Sequence, residues 1–238
     1  DYAEVYADLS VVNYALGEVD SAINTLEKAC DIDPVSKTYE LLLVVVKARK
    51  FGLNKLDFWA NLADDPIILE REVEPELVCK LFEMQSREME KAIDTPVFGN
   101  GTCSIDYRMF DDDIPILRTL QNDLISTIRE HLKSDIFIID SFFNIYGKGA
   151  GIPPHTHLSE LDSESYLQLA KQKYSLVYYV EVGDQNCSEP GILKLYNPDN
   201  EILPKNGMIV IIPASRSHSA VYGGTKKRVI IGINFYCL

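Results

Sequence analysis

The sequence is poor in positive charge. Its 238 residues include 23 lysines and arginines against 36 aspartates and glutamates, which gives a formal net charge of -13. Nucleic acids and anionic membrane surfaces are bound through clustered Lys and Arg, so this balance argues against both kinds of partner. A basic or neutral partner fits the charge better. The 46% of apolar residues is ample for the buried core of one sizeable domain and a smaller one.

Paired cysteines and long apolar runs are also missing. The five cysteines are scattered and form no C-x-x-C pair, which disfavours a disulfide framework and a zinc knuckle. No run of about eighteen uncharged apolar residues occurs, and the start of the chain lacks the basic segment of a signal peptide. We therefore expect a reducing, cytoplasmic location. Because the chain opens inside a helical pattern without an initiating Met, we expect it to be part of a longer protein.

Residues 1–69 carry a helical pattern. From Val5 to Cys30 apolar residues recur at helical spacing in two runs separated by Gly17-Glu18-Val19-Asp20, which predicts an antiparallel helix pair. The pattern resembles a tetratricopeptide repeat. The residues that carry this resemblance are Tyr6, Leu9, Gly17, Ala22, Leu26, Ala29 and Pro34. A second, degenerate unit is predicted from Tyr39 to Pro66. We expect the region to end a longer array and to bind a protein or peptide partner; the alternative is a plain helical hairpin.

Residues 70–238 are predicted to form the second domain. Helices are expected from Pro75 to Ile93 and from Ile114 to Leu132, with the second helix capped by Asp111-Asp112-Asp113. From residue 135 onward, short segments rich in β-branched and aromatic residues predict a β sandwich or barrel. These strands are Ile136–Tyr146, Tyr174–Val182, Gly191–Tyr196, Met208–Ile212, Ser217–Tyr222 and Arg228–Tyr236. The polar insertion 158–173 has the character of a lid or substrate loop.

Three histidines stand in two short motifs. His155 and His157 are two residues apart, so on a strand both side chains point to one side while Thr156 points to the other. His218 follows a buried strand much later in the chain. Imidazole is a common protein ligand of iron, zinc, copper and nickel, so the pattern predicts a metal site. The alternative is that these are ordinary solvent-exposed histidines at strand ends.

Arg228 opens an otherwise apolar strand ten residues after His218. A guanidinium is costly to bury unless it meets an anion. The anion expected here is a carboxylate held by two parallel hydrogen bonds.

Together these motifs resemble the double-stranded β-helix core of the iron(II)- and 2-oxoglutarate-dependent dioxygenases, in particular the prolyl-4-hydroxylase-like branch. The matching segments are Tyr146-Gly-Lys-Gly149, His155-Thr-His157, Leu176-Val-Tyr-Tyr-Val180, Pro190-Gly-Ile-Leu-Lys-Leu195, Gly207-Met-Ile-Val-Ile-Ile-Pro213, His218 and Arg228. The resemblance implies an α+β fold with a jelly-roll core at residues 135–238 and packed helices.

The resemblance also implies an activity and cofactors. A member of this family uses iron(II), dioxygen and 2-oxoglutarate, with ascorbate as an optional reductant. It hydroxylates a protein or peptide side chain or a small molecule and releases succinate and CO2. His155 and His218 are then implied to bind iron, and Arg228 to pair with the distal carboxylate of 2-oxoglutarate. Tyr146 and Tyr179 are implied to line the cosubstrate pocket, with core packing as their alternative role.

Position 157 departs from the family pattern, because the family places a carboxylate ligand where this chain has His157. Either His157 is the third metal ligand, or Asp162 or Glu160 supplies an oxygen ligand and His157 contacts the ligands without binding the metal. Two further interpretations stay open. A cupin-type three-histidine dioxygenase or isomerase would leave Arg228 unexplained. An inactive β domain that serves as a protein-binding scaffold is supported only by the substitution at 157.

Overall fold

The core consists of two antiparallel β-sheets that face each other. The computed structural model describes residues 2–52, 65–89, 99–164 and 166–238. Its strands are β1 (Ile67–Glu70), β2 (Ser86–Glu88), β3 (Gly101–Ser104), β4 (Ile136–Tyr146), β5 (Ala150–His155), β6 (Lys173–Glu181), β7 (Pro190–Leu195), β8 (Asn200–Ile202), β9 (Met208–Pro213), β10 (His218–Tyr222) and β11 (Arg228–Cys237). The larger sheet has the order β1-β9-β6-β11-β4-β3-β2 and the smaller one β5-β10-β7-β8. Two facing antiparallel sheets are consistent with the expected jelly-roll core.

Strand β11 lies at the centre of the larger sheet. It pairs with β4, where Arg228 lies opposite Tyr146, and with β6, where Ile230 lies opposite Tyr179. All ten residues of β11 are buried. Its nearly continuous apolar sequence follows from this position, because both faces of the strand are covered. One face packs on helices and the other on the smaller sheet.

Helices α4 (Pro75–Glu83) and α5 (Pro115–Leu132) cover the outer face of the larger sheet. Both begin with a proline. Proline is tolerated in the first turn because a backbone amide there would have no hydrogen-bond partner within the helix. The buried face of α5 follows the helical period and consists of Leu117, Leu120, Leu124, Ile128 and Leu132. The amphipathic pattern of this helix was sufficient to predict its position in the chain.

Two expectations for this region are wrong. The helix predicted from Pro75 to Ile93 ends at Glu83, and Ser86–Glu88 form β2 instead; residues 90–93 lie outside the described part of the chain. The aspartate cluster does not cap α5, whose N-cap is Ile114 without a side-chain cap hydrogen bond. A 3-10 turn at Met109–Asp111 turns the Asp111 carboxylate towards other partners. It pairs with Lys37 at 2.8 Å and Arg108 at 2.7 Å.

In the N-terminal region, the described residues form three helices: α1 (Tyr2–Ala15), α2 (Val19–Ile32) and α3 (Lys37–Lys50). The predicted helix pair is therefore present, and Gly17 makes the turn between α1 and α2 with a φ of +81°, which favours glycine. Ala22, Ile23, Leu26 and Ala29 form the buried face of α2. The tetratricopeptide resemblance remains a prediction, and most of its second unit beyond α3 falls in residues 53–64, outside the described part.

The helices α1–α3 and the β core share a hydrophobic cluster. Apolar residues of α2 and α3 pack with Leu167 and Leu169 of the insertion and with Tyr236 of β11. The insertion itself contains two short 3-10 helices, Leu161–Ser163 and Leu169–Lys171. Strand β1 spans the predicted domain boundary at residue 69 and pairs with β9. In the described segments, no helix has the length and apolar character needed to cross a membrane.

Candidate metal centre

Three imidazoles meet between the two sheets. His155 ends β5, His157 follows two residues later, and His218 begins β10, where it pairs with His155 across the sheet. Their candidate ligand nitrogens all lie within 4.8 Å of one another. Thr156, between the first two, is exposed, as the alternation of side chains predicted.

Hydrogen bonds fix two of the rings. Nδ1 of His155 lies 2.9 Å from the carbonyl of Pro153, and Nδ1 of His218 lies 3.1 Å from the carbonyl of Arg216. A carbonyl oxygen accepts only, so each Nδ1 must carry the proton and each Nε2 keeps a lone pair. Both rings are therefore in the tautomer that metal-binding histidines adopt when the second nitrogen donates to a backbone carbonyl.

The rings of His157 and His218 are uncharged at neutral pH. Burial, with smaller effects from His218, His155 and Lys173, lowers the pKa of His157 to about 3. Burial and the neighbouring His155 lower the pKa of His218 to about 4, against an opposing hydrogen bond to Arg216. Neutral imidazole is the form that binds metals.

The geometry fits one metal ion. Nε2 of His157 and Nε2 of His218 are 3.3 Å apart. This spacing is close to that of two nitrogens that each lie about 2.1 Å from the same metal. Because three imidazoles converge, the cluster has the donor set that first-row transition metals prefer.

Arg228 lies in the same cavity with almost no solvent exposure. The cavity is lined by all three histidines together with Arg228, Tyr146 and Tyr179. Arg228 is 2% exposed, and Nη1 donates to the carbonyl of Gly191 at 2.8 Å. Burial lowers the pKa of Arg228. No carboxylate among the residues that the structure describes forms an ion pair with it. The guanidinium can therefore bind an anion that the protein itself does not supply.

Aromatic rings surround this guanidinium. The ring centroids of Tyr179 and Tyr222 lie 5.1 and 5.6 Å from its central carbon. Burial raises the pKa of Tyr179 to about 12, although the positive charge of Arg228 acts in the opposite direction. Burial also raises the pKa of Tyr146, whose hydroxyl accepts a hydrogen bond from Asn144 at 3.3 Å. Both predicted tyrosines thus line the cavity as neutral phenols.

The two alternative carboxylate ligands lie elsewhere. The carboxylate of Asp162 accepts hydrogen bonds from Ser159, Lys173 and Tyr236, and Glu160 is exposed. Among the described residues, the one cluster with metal-binding geometry consists of the three histidines. None of the described residues of the insertion lines the cavity, and its role as a lid stays a prediction.

A second hollow adjoins the first on the side of β3. It is lined by Tyr107, Phe142, Asn144, His155, His157 and Asn234, among others. Asn234 is 5% exposed and donates from Nδ2 to Asp140 at 3.0 Å, while its Oδ1 has no hydrogen-bond partner among the described residues. The rings of His155 and His157 thus form a wall shared by both hollows.

Comparisons with solved structures find the same architecture in oxygenases. A protein of the 2OG-Fe(II) oxygenase family from Burkholderia pseudomallei aligns with a TM-score of 0.52 over 77% of this chain and 91% of its own, at 13% identity. A prolyl hydroxylase from Trichoplax adhaerens, in complex with a hypoxia inducible factor peptide fragment, aligns with a TM-score of 0.52 over 86% and 95%, at 15% identity. The non-heme alpha ketoglutarate dependent carbocyclase SnoK from nogalamycin biosynthesis gives a TM-score of 0.53 over 78% and 85%, at 12% identity.

The chain shares their fold. No protein-family model matches it, and no curated protein matches it in sequence. At these identities the likeness concerns the fold, and the function has to be argued from the site itself.

Two residues of the site were missed by the sequence prediction. Gly191 was assigned to a strand, but its role is to leave room for Arg228, since an added Cβ would lie 1.4 Å from Nη1. Its position inside a predicted strand was a signal of close approach. Tyr222 packs beside Arg228 and was read only as part of a strand. No local pattern in the sequence distinguishes it from the other tyrosines.

Proposed function

We propose that the protein is an iron(II)- and 2-oxoglutarate-dependent oxygenase. The observation that carries the proposal is the presence of three converging imidazoles and one unpaired, buried guanidinium in a single cavity. The shared fold supports it, because the structures that align with the chain include enzymes described as dependent on 2-oxoglutarate.

We assign His155, His157 and His218 to the metal. The bonds from Nδ1 of His155 and His218 to backbone carbonyls favour this assignment, since they direct Nε2 towards the common point. Asp162 is already bonded to four donor groups, which leaves His157 as the better candidate for the third ligand.

We assign Arg228, Tyr146 and Tyr179 to 2-oxoglutarate. Arg228 offers a charged, planar donor to the distal carboxylate, and the desolvated surroundings strengthen that pairing. The tyrosine rings would shield this pairing from water, and with the distal carboxylate on Arg228 the keto-acid end would be free for the metal. Iron(II), 2-oxoglutarate and dioxygen together would supply the oxidation of a C–H bond, with one oxygen atom going to the substrate and the other to succinate as CO2 is released.

The substrate is proposed to be a protein or peptide side chain, or a small molecule, and the reaction to be a hydroxylation. We further propose that the region α1–α3 binds a protein or peptide partner. Its support is an apolar row on α1 that is exposed to solvent and consists of Tyr2, Val5, Leu9, Val12 and Leu16. The five free cysteines support a reducing, cytoplasmic location.

Turnover of 2-oxoglutarate in the absence of substrate tests the proposal. The purified protein is loaded with iron(II) under argon, supplied with ascorbate and 2-oxoglutarate, and exposed to air, and succinate is measured. We expect slow succinate formation that needs both iron(II) and 2-oxoglutarate. A protein that takes up metal but makes no succinate would favour a cupin-type site, and one that takes up no metal would favour a scaffold.

Replacement of Arg228 sharpens this test. Arg228→Met should raise the 2-oxoglutarate concentration needed for half-maximal turnover about ten- to one-hundredfold, because each lost charged hydrogen bond is worth roughly 1.5–3 kcal/mol. Metal affinity should stay as in the wild type. Arg71→Met is the matched control, since Arg71 is a largely buried arginine paired with Glu74 and Asp123 outside the cavity. An unchanged requirement in Arg228→Met would contradict the assigned role.

A further inference from the structure

Asp162 is a buried carboxylate whose two oxygens both accept hydrogen bonds. Its Oδ2 accepts hydrogen bonds from the backbone amide and hydroxyl of Ser159 at 2.7 and 2.8 Å, and from Nζ of Lys173 at 2.7 Å. Its Oδ1 accepts from the hydroxyl of Tyr236 at 2.7 Å. The side chains of Asp162 and Lys173 are 0% and 5% exposed. Removing the two charges of a buried ion pair from water costs free energy, so its presence indicates a role other than stabilising the fold.

The network encloses the backbone that carries His157. On one side, the amide of His157 donates to the carbonyl of Ala214 at 2.9 Å, and the amide of Ala214 donates to the carbonyl of Lys173 at 2.9 Å. On the other side, two residues after His157, Ser159 is held by Asp162, which is paired with the side chain of Lys173. Lys173 therefore anchors His157 from both directions, once through its backbone and once through Asp162.

His157 needs this support more than the other two histidines do. His155 and His218 lie in paired strands, and each directs Nδ1 to a carbonyl two residues earlier. His157 lies beyond the end of β5, and no carbonyl in the described part of the chain accepts a hydrogen bond from its ring. The orientation of this ring is therefore set by the position of its backbone and by contacts with the other two histidines.

We propose that Asp162 is a positioning residue for the third metal ligand: by holding Ser159 against Lys173, it fixes the backbone that presents the ring of His157 to the metal. The inference rests on the proposed metal site. The function it assigns to the carboxylate of Asp162 is indirect. Asp162 does not bind the metal but acts on it through His157. Groups that orient a metal ligand typically contribute about ten- to one-hundredfold to metal affinity.

Charge gives Asp162 a second effect that has to be separated from the first. Without the carboxylate, the ammonium of Lys173 would stay buried and uncompensated near the imidazoles and would repel a divalent cation. The charge-balanced pair Asp162→Leu with Lys173→Met removes this repulsion together with the hydrogen bonds. A loss of metal affinity that persists in the pair therefore comes from positioning.

Cobalt(II) is the probe, because it replaces iron(II) without oxidation and shifts the NMR signals of bound imidazoles. We compare the wild type, Asp162→Asn, the charge-balanced pair, and each of them combined with His157→Ala. We expect about tenfold or greater loss of cobalt affinity in Asp162→Asn and in the pair, with shifted ring signals from two histidines where the wild type shows three. In the His157→Ala background the same changes should have no further effect on affinity.

Controls separate positioning from a general loss of stability. Asp111→Asn removes an aspartate that pairs with Lys37 and Arg108 far from the histidines, and it should lower the melting temperature without changing cobalt affinity. Ser159→Ala removes one of the hydrogen bonds to Asp162 with little risk to folding and should weaken cobalt binding about threefold, close to the factor expected for one modest hydrogen bond.

The outcomes distinguish the inference from the function on which it rests. Wild-type affinity and three shifted rings in the charge-balanced pair would overturn the inference and leave the metal site intact. An equal loss with and without His157 would do the same, because Asp162 would then act on the metal by another route. A wild-type protein that binds no cobalt would overturn the proposed function, and the inference with it.

Discussion

At Gly191 the absence of a side chain makes room for the guanidinium of Arg228. Gly191 has a φ of +79°, and an added Cβ would come within 1.4 Å of Nη1 of Arg228. Arg228 in turn donates to the carbonyl of the same glycine. Gly191 belongs to β7 of the smaller sheet and Arg228 to β11 of the larger one, so this contact also joins the two sheets beside the cavity.

Gly191→Ala should therefore displace Arg228. We expect 2-oxoglutarate affinity to fall about tenfold or more, since the charged hydrogen bonds to the carboxylate are worth roughly 1.5–3 kcal/mol each. Stability should fall by about 1–3 kcal/mol from the strained backbone and the overlap. The measurements are calorimetric titration with 2-oxoglutarate on manganese-loaded protein and urea unfolding.

Gly17→Ala is the control for the backbone strain. Gly17 has a φ of +81°, but an added Cβ would meet no atom within 4 Å. This variant should lose stability without losing 2-oxoglutarate affinity. Equal affinity in the wild type and Gly191→Ala would mean that Arg228 does not bind the cosubstrate.

The residues of the site differ in how far the sequence could predict them. The histidines and Arg228 were recognised because each stands in a short motif whose spacing matches a strand. The interactions of Asp162 were not predictable, because its partners Lys173 and Tyr236 are 11 and 74 residues away in the chain. Only the folded chain shows that the carboxylate is already bonded, so the sequence left it open as a metal ligand.

Helix α3 connects the N-terminal helices to the insertion through hydrogen bonds as well as packing. Arg49, near its end, donates to the carbonyls of Tyr166 and Leu167. Leu167 and Leu169 pack into the same cluster as the apolar face of α3. The insertion is thus held at Tyr166 and Leu167 by α3 and at Ser159 and Lys173 by the hydrogen bonds of Asp162. We expect its order to depend on both sets of contacts.

Arg49→Ala should loosen the insertion locally. We expect faster hydrogen exchange at the amides of Leu167, Gln168 and Gln172, which are bonded within this segment, while β11 stays protected. Lys50→Ala is the matched control, since it removes the next cation on α3, whose partner is the exposed Asp20. Similar exchange in the two variants would show that Arg49 does not hold the insertion.

The elements that the sequence predicted correctly are those with a long, regular pattern. Helix α5 has five buried residues at helical spacing, and β11 is apolar throughout. The short strand β2 was predicted as part of a helix, because Ser86–Glu88 has no alternating pattern and forms a strand only by pairing with β3. The relation of α1–α3 to the core could not be read from the sequence, since it depends on contacts with the last strand.

For the whole molecule, the buried histidines predict how stability depends on pH. The pKa values of His157 and His218, about 3 and about 4, lie below the ordinary value of 6.5, so the unfolded chain takes up protons first as the pH falls. Their contribution to stability is complete above pH 6.5 and is lost as the pH falls towards the folded-state values.

The metal-free protein should therefore lose stability between pH 7.5 and 5. The loss should be on the order of 1–2 kcal/mol per histidine, measured by urea unfolding in the presence of a chelator. The double variant His157→Gln with His218→Gln should lose less over the same range. An identical decrease in both proteins would show that these rings are not the groups that titrate.

The carboxyl of Asp162 affects stability in a lower pH range than the histidines do. Burial acts to raise the pKa of Asp162, but the hydrogen bonds from Lys173, Ser159 and Tyr236 outweigh it and hold the pKa below its usual range. Its contribution is present above the ordinary pKa of an aspartate, near 3.9, and is lost only as the pH falls further. The two sets of groups can therefore be followed separately in one titration.

Strand β11 sets a length scale for ligands. Arg228, Ile230, Gly232 and Asn234 occupy alternate positions of this strand, and the first and last line the two adjoining hollows. The six steps from Arg228 to Asn234 span about 20 Å at about 3.3 Å per residue. This distance follows from covalent geometry, so substitutions along the strand can widen or narrow the hollows while the spacing of Arg228 and Asn234 stays the same. A single residue inserted between them would turn every later side chain of β11 to the opposite face.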